Sequence, residues 1–477
     1  ALGMRLGTAL VMELRGSGVL KAMGDPWPVL DAIFQAKQSP PDPAFQSDIK
    51  AVAPTWLALT PKRRQILSLL SRFDFTSEQV KRTWEEIKRR GSFTKPTSDD
   101  EILENPYVLA ERDLGGGEDL PISMETIDHA LLPDEALAGA PAVPLPSAVD
   151  SPNDPRRVRC GLVTVLRRAA REGDALLSLE ETLGRLPALN PSQPIFVTPE
   201  WLNGNAAFFE SAVSRLPIEI KSTPPKCVPA LQLLDVKTRE EQLSKILRGR
   251  TGRSAASANV DWKKLIISAI QASGQKIDLH NKRHKDALEE QANALQKITS
   301  RRLSVLVGRA GTGKTSVVGA LTSCPELQSE GLLLLAPTGK ARVRLQGATQ
   351  SQAMTVAQFL NRLKRYDRLR QRPLFEGSEV YRSVRTVIID EASMLTMDDL
   401  YAILLALDLT YVKRIVLVGD PNQLPPIGVG RPFSDLVTWL TSATDSSDDT
   451  EKKIGEALAR LHVEVRTVRT ITAGNIE

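Results

Sequence analysis

Apolar residues recur at helical spacing over 9–15, 29–36, 63–72 and 78–90. Turn-forming breaks separate these stretches: Gly-Ser-Gly at 16–18, Gly24-Asp25-Pro26, and the run Ser39-Pro40-Pro41-Asp42-Pro43. Thr60-Pro61 and Thr76-Ser77-Glu78 have the order of residues that opens a helix. Past residue 300 the pattern changes to short, unbroken apolar runs at 303–307, 332–336, 386–390 and 415–419, with helically spaced stretches between them. Such runs predict strands buried on both faces, and hence a parallel sheet covered by helices. The chain is expected to be α/β in this part and mostly helical before it.

The middle of the chain is less regular. An acidic helix ends at Asn105-Pro106-Tyr107, a Gly115-Gly116-Gly117 turn follows, and 122–131 is helical again. The Ala-, Pro- and Ser-rich stretch 138–155 reads as a loop, and 156–171 as a basic amphipathic helix with Val158, Leu162 and Leu166 inward. Residues 174–186 continue helical, while 194–197 and 216–220 have strand character. RGRTGRSAAS at 248–257 reads as a basic, flexible linker, and 286–298 as a helix. The boundary of the α/β lobe is therefore placed between the linker and Ile277. The predicted division is 1–95, 96–190, 191–276, an α/β lobe over 277–440, and a further piece over 441–477. Residues 442–449 are polar and acidic, as in a surface loop, and no repeat of solenoid period is visible. Short helices with glycine turns can clamp a DNA backbone through turn N–H groups, but more often they make a plain helical bundle, the reading that composition favours.

The first of the apolar runs carries the chemistry. Leu303–Val307 leads directly into Gly308, four residues, and Gly313-Lys314-Thr315, the full G-x-x-x-x-G-K-T spacing between a strand and a helix. Glycines let the backbone curl so that its N–H groups meet phosphate oxygens. Lys314 reaches the β- and γ-phosphates, and the Thr315 hydroxyl suits Mg²⁺. Gly308, Gly311, Thr312, Gly313 and Ser316 complete the cradle at a helix N-terminus. A glycine-rich turn with an incidental lysine is the plain alternative, and the strand-loop-helix setting argues against it. The expected ligands are ATP and Mg²⁺.

Further signals fall at the ends of the other strands. The 386–390 run closes on Asp390-Glu391, with Asp390 suited to Mg²⁺ and Glu391 to polarising the attacking water. After 415–419 come Asp420-Pro421-Asn422-Gln423, and Gln423 is placed to touch the γ-phosphate. Thr338 and Lys340 follow the 332–336 strand at the same sheet edge, where a second phosphate-bearing ligand would lie. Residues 361–385 hold Arg362, Lys364, Arg365, Arg368, Arg370, Arg372, Arg382 and Arg385 among Tyr366 and Phe375. That mixture is either a solvated face or a surface for single-stranded nucleic acid.

Composition adds little beyond this. The 477 residues carry 62 Lys+Arg against 57 Asp+Glu, a net +5 that is compatible with a polyanionic partner without requiring one. Three widely spaced cysteines exclude a disulfide framework or a Cys metal cluster and point to a reducing, cytoplasmic setting. No apolar run has membrane-spanning length, and Ala1-Leu2-Gly3 lacks the charged start of a secretion signal. The missing initiator Met hints that the sequence is not a complete gene product.

The strings GRAGTGKT, APTGKARVRL, VIIDEASM and VGDPNQLPPIGVGRPF together resemble superfamily 1 helicases of the RecD-like branch. The resemblance is strong over 285–435, and LEEQA, with Gln291, is similar to the family's Q motif, whose glutamine reads adenine. A weaker likeness covers ENPYVLAE, IDHALLPD, PRRVRCGLVTVL and REGDALLSLEETL, which resemble the helix-hairpin-helix region of longer RecD-like proteins; here the family's tight hairpin is blurred into DLGGGEDL. The resemblance implies a RecA-like lobe and an ATP-dependent helicase moving 5′ to 3′ on single-stranded DNA. By it Lys314 and Thr315 bind phosphate and Mg²⁺, Asp390 and Glu391 handle metal and water, and Gln423 senses the γ-phosphate. Thr338, Lys340, Pro425 and Pro426 would lie along DNA, and 361–385 falls where the family inserts a strand-separating pin. The segment LHVEVR resembles the start of a second RecA-like lobe, with Arg466 as its arginine finger.

Two functions remain open on the residues: a motor on single-stranded or tailed duplex DNA, or an ATP-driven nucleic-acid-binding switch or assembly subunit that does not unwind. Protein partners in a repair or anti-phage defence complex suit either.

Overall fold

In the computed structural model, residues 4–21, 24–133, 143–189, 193–220, 226–251, 255, 258–272, 277–308, 312–442 and 470–472 are described. They form two units, 1–165 with 180–211, and 166–179 with 212–477.

The first unit is helical. Helices Met4–Gly16, Pro26–Phe34 and Gln46–Ala58 close on Leu10, Leu14, Leu20, Leu30, Ile33 and Ile49. The two helix starts form as expected. Thr60 accepts from the Arg63 N–H at the head of Pro61–Leu70, and Thr76 and Gln79 cap each other's backbone at Ser77–Trp84. The helix expected over 78–90 breaks at Glu85, whose extended backbone separates Ser77–Trp84 from Glu86–Ser92. Helices Val108–Arg112 and Met124–Leu131 flank the glycine turn, which Arg82 fastens. Its guanidinium donates to both oxygens of Asp113 at 2.8 and 2.7 Å and to the Leu120 carbonyl at 2.9 Å. Deeper in, Arg157 and Asp128 are both fully buried and paired at 2.6 and 2.8 Å, and the Tyr107 hydroxyl donates to Asp128 at 2.7 Å. No strand forms at 194–197: the run begins at Pro194, and buried Ile195 fills the helical core without a ladder partner.

The second unit begins with a three-stranded antiparallel sheet, β1 (Leu177–Ser178), β2 (Val213–Ile220) and β3 (Lys226–Leu233), in the order β1-β3-β2. The strand character of 216–220 belongs to β2, and β3 was hidden in the sequence by Pro229. Pro217 and Pro229 face each other, so neither is asked for a ladder N–H on that side. On the other side β1 pairs only with Ala230 and Leu231 and stops short of Pro229. The stretch read as a linker starts inside a helix, Leu234–Thr251. Arg250 is buried there and donates to the carbonyls of Leu409 and Val412 at 3.1 and 2.7 Å, a fixed role that composition could not distinguish from a flexible one. Helix Trp262–Ala272 likewise joins the lobe, since Trp262 and Ile266 share a core with Leu295, Ile298, Leu306, Val317 and Leu321. The lobe's core therefore reaches upstream of the expected boundary at 277.

The main sheet contains β4 (Leu303–Val307), β5 (Leu332–Ala336), β6 (Ala353–Thr355), β9 (Thr386–Ile389), β10 (Arg414–Gly419) and β11 (Thr470–Thr472). Its order is β11-β4-β10-β9-β5-β6, and every pairing is parallel. Thr470–Thr472, in the stretch expected to open a further lobe, thus extends this sheet beside β4. This is the parallel, helix-covered sheet expected of a RecA-like P-loop lobe. Register aligns Val307 with Gly419, and Leu417 and Leu335 with Ile389, so four strand ends finish together. From β4 the chain leaves toward β5 on one side, and from β10 toward β11 on the other. Such a divergence leaves a crevice at the carboxyl ends of the two neighbouring strands.

Between β6 and β9 a two-stranded hairpin, β7 (Tyr366–Asp367) with β8 (Arg372–Pro373), stands apart from the main sheet. Most of its basic residues have protein partners. Arg365 is buried and donates to the carbonyls of Glu379, Phe375 and Gly377, the first two at 3.0 and 3.3 Å. Arg370 pairs with Asp367 at 2.8 Å and Arg382 with Asp408 at 3.3 Å, while Arg385 lies over Tyr411. Phe375 packs on Tyr401 at 5.5 Å and under Arg239. The expected charge-and-ring surface is therefore divided: Arg365 and Phe375 are held inward, whereas Arg362, Lys364 and Arg382, and Arg368 and Leu369 at the tip, are exposed.

Candidate functional site

Four strand ends build the site. Beyond β4, Gly308 donates its N–H to the Gly419 carbonyl at 3.3 Å, which ties the loop to the end of β10. A Cβ on Gly308 would lie 2.4 Å from Thr312 Oγ1 and 3.3 Å from Lys314 Cγ, so only glycine lets these chains approach. Gly313 turns the chain at φ 82, a left-handed value, into helix Lys314–Thr322. Gly311 lies outside the described residues. Thr312, Thr315 and Ser316 are half-buried at the helix start.

Lys314 is buried, and its Nζ donates to the Gly308 carbonyl. Burial lowers its pKa below the usual 10.5, although Asp420, Glu391 and Asp390 all favour its charged form. Asp390 follows β9, is buried, and donates its N–H to the Leu335 carbonyl at 2.9 Å. Burial first, and Glu391 second, raise its pKa. Its neighbour Glu391 adopts a left-handed φ of 49, a strained backbone conformation for a residue with a side chain. One carboxylate oxygen, Oε1, lies 3.5 Å from Arg344, and the other, Oε2, is buried with no hydrogen-bond partner among the described residues.

Beyond β10, buried Asp420 accepts from the Asn422 N–H at 3.0 Å, and its carbonyl accepts from the Gln423 N–H at 3.1 Å. This turn holds the half-buried Gln423, whose Oε1 accepts from the Ser393 hydroxyl at 3.5 Å. Beyond β5, Thr338 caps helix Gly339–Thr349 by accepting from Ala341 N–H at 3.2 Å, and Lys340 on its first turn is exposed. The Pro425-Pro426 pair separates: Pro425 is exposed, but Pro426 is buried and supports the turn from inside. Gln291, on helix Lys282–Thr299, is buried with its Oε1 unpartnered among the described residues. Arg466 lies outside the described residues.

Lys314, Asp390, Glu391 and Gln423 thus come together at adjoining strand ends. Asp420, Ser393 and Arg344 belong with them and were not singled out from the sequence. Asp420 stood in view beside Gln423, whereas nothing in the spacing pairs Arg344 with Glu391. Two buried acceptors unpartnered among the described residues, with Lys314 at the head of its helix, fit a bound ATP with Mg²⁺. Among the described residues no cluster of three or more His, Cys, Asp or Glu side chains could hold a metal alone. A site that completes its shell with phosphate oxygens needs no such cluster. No helix among the described residues is long and apolar enough to cross a membrane.

Comparison with known proteins agrees with this geometry. Residues 287–463 match a protein-family model described as an AAA domain. An uncharacterized protein of Methanocaldococcus jannaschii is 26% identical over 383 residues, 73% of this chain and 30% of its own length. The RecBCD enzyme subunit RecD of Mycolicibacterium smegmatis is 33% identical over 38% of this chain and 35% of its own. The ATP-dependent RecD2 DNA helicase of Deinococcus radiodurans is 35% identical over 32% of this chain and 20% of its own. The chain therefore spans about a third or less of the length of these curated relatives. Through its P-loop lobe the chain is related to RecD-like superfamily 1 helicases.

Proposed function

We propose that the protein is an ATP-dependent DNA helicase or translocase that moves 5′ to 3′ on single-stranded DNA in the cytoplasm. The observation that carries this reading is the convergence of Lys314, Asp390, Glu391 and Gln423 at the ends of the adjacent strands β4, β9 and β10. An exposed Lys340 lies on the helix that follows β5, the next strand along. Relatives named as RecD and as a RecD2 DNA helicase support DNA as the polymer.

Thr315 and Asp390 would hold Mg²⁺, and Gln291 would read the adenine edge. Bound ATP with Mg²⁺ supplies the scissile phosphoanhydride and neutralises charge on its oxygens. Lys314 adds a fixed positive charge to the phosphates from a buried position, where it acts in low dielectric. Glu391 takes the proton of the attacking water as the water oxygen bonds to phosphorus and ADP leaves with the bridging oxygen. Gln423, held by Ser393, reports the γ-phosphate to the loop that carries Pro425. Thr338, Lys340 and Pro425 run along DNA, the hairpin tip separates strands, and Arg466 supplies an arginine finger. A RecBCD-like assembly with other subunits suits the RecD relatives.

The test uses the full chain with duplexes bearing 5′ or 3′ tails. Wild type should unwind the 5′-tailed substrate in preference, and Glu391→Gln should still bind ATP while turnover falls about 10²- to 10⁴-fold. ATP hydrolysis without any strand displacement would favour the switch reading, and undiminished turnover in Glu391→Gln would sink the assignment of the base.

A further inference from the structure

We propose that Arg344 is a positioning residue that couples DNA binding to hydrolysis: without DNA it holds the Glu391 carboxylate, and a DNA phosphate draws it away. This deepens, and rests on, the reading of Glu391 as the base and of the Lys340 helix as a DNA track.

Arg344 lies on helix Gly339–Thr349, four residues after Lys340. Residues at that spacing share a face on neighbouring turns, so a backbone phosphate held at Lys340 is within reach of the long Arg344 side chain. Its guanidinium also reaches in the other direction, to within 3.5 Å of Glu391 Oε1. The two ends of this contact differ sharply in environment. The Arg344 side chain is 64% exposed and the Glu391 side chain only 12%. One partner therefore belongs to the solvent face that DNA would cover, and the other to the hydrolytic site.

The contact is of the kind that can be exchanged. It is a single approach at 3.5 Å, unlike the two-bonded, fully buried Arg157–Asp128 pair at 2.6 and 2.8 Å. A single contact at 3.5 Å whose guanidinium is mostly in solvent is weak, whereas an arginine fork on a phosphate makes two charge-assisted bonds. DNA thus offers Arg344 the better partner. While Arg344 holds Oε1, the carboxylate is fixed toward the helix, with Oε2 turned into the buried space. Once released, Glu391 is free to swing onto the attacking water. Hydrolysis then follows occupancy of the track.

The experiment measures ATPase of the full chain with and without saturating oligo(dT), for wild type, Arg344→Gln and Arg344→Lys. Arg344→Gln should raise the DNA-free rate about two- to fivefold, the size of a weak ion pair whose arginine is in solvent. Its DNA-saturated rate should stay near wild type, so that the stimulation ratio falls. Arg344→Lys, which keeps the charge but not the fork, should lie between the two. Thermal melting should be unchanged in both, because the side chain is on the surface. If DNA stimulates wild type and Arg344→Gln by the same ratio, or if both rates of the variant fall together, Arg344 is not the coupling residue. A wild type indifferent to DNA overturns the DNA-track reading as well, and the two failures are thereby told apart.

Discussion

Replacing Lys314 with methionine removes the phosphate-facing charge and keeps most of the buried stem. A hydrogen bond to a charged group contributes about 1.5–3 kcal/mol, so nucleotide affinity should fall roughly 10- to 150-fold. The free protein should respond differently. Burial holds the Lys314 pKa below 10.5 in the fold, so the unfolded chain binds this proton more tightly than the folded one does. The charge therefore costs stability at neutral pH, and the cost is relieved as pH rises through the window between the depressed value and 10.5. Lys314→Met should lack that rise and should melt, without nucleotide, no lower than wild type at pH 7. A fluorescent-ATP titration reads the affinity, and melting curves between pH 7 and about pH 10 read the linkage. Affinity within twofold of wild type would refute the phosphate role. A melting temperature several degrees lower at pH 7 would refute the argument that the charge is a burden on the fold.

Other perturbations test separate parts of the argument. Lys340→Ala should weaken single-strand binding and flatten the log–log salt dependence by about 0.7, one phosphate's worth; an unchanged slope places Lys340 off the track. Arg157→Ala takes the guanidinium from the fully buried Asp128 carboxylate and should destabilise the helical unit by about 3–5 kcal/mol in urea unfolding, and a loss below about 1 kcal/mol would show that its other contacts, Tyr107 among them, suffice. Replacing residues 368–371 with Gly-Gly should reduce unwinding of tailed duplexes while sparing DNA-stimulated ATPase, because the anchor Arg365 is untouched. If both activities fall together, the tip belongs to the motor core.

The residues themselves determined the parts of this protein whose physics is local. An apolar run short enough for a strand, followed by G-x-x-x-x-G-K-T, specified β4 and the helix that opens at Lys314, because that spacing sits between a strand and a helix. The runs at 332–336, 386–390 and 415–419 became β5, β9 and β10 within a residue, since each is buried on both faces and tolerates no polar interruption. Helix starts at Thr60 and Thr76 were legible for the same reason: a cap is satisfied within one turn.

What depended on distant partners was not legible. Composition made the arginines of 361–385 look alike, yet Arg365 is buried among three carbonyls while Arg368 is exposed near the tip. Whether a guanidinium is buried depends on a cage of acceptors that closes only on folding. Arg250 differed from a linker arginine for the same reason, and β3 formed despite Pro229 because its neighbour β1 ends before that residue. The strand order put Asp390, Glu391 and Asp420 beside Lys314, and helix Gly339–Thr349 brought Arg344 to Glu391 across 47 residues of sequence. Local pattern specifies which residues can do chemistry; the register of parallel strands, set by long-range burial, decides which of them meet.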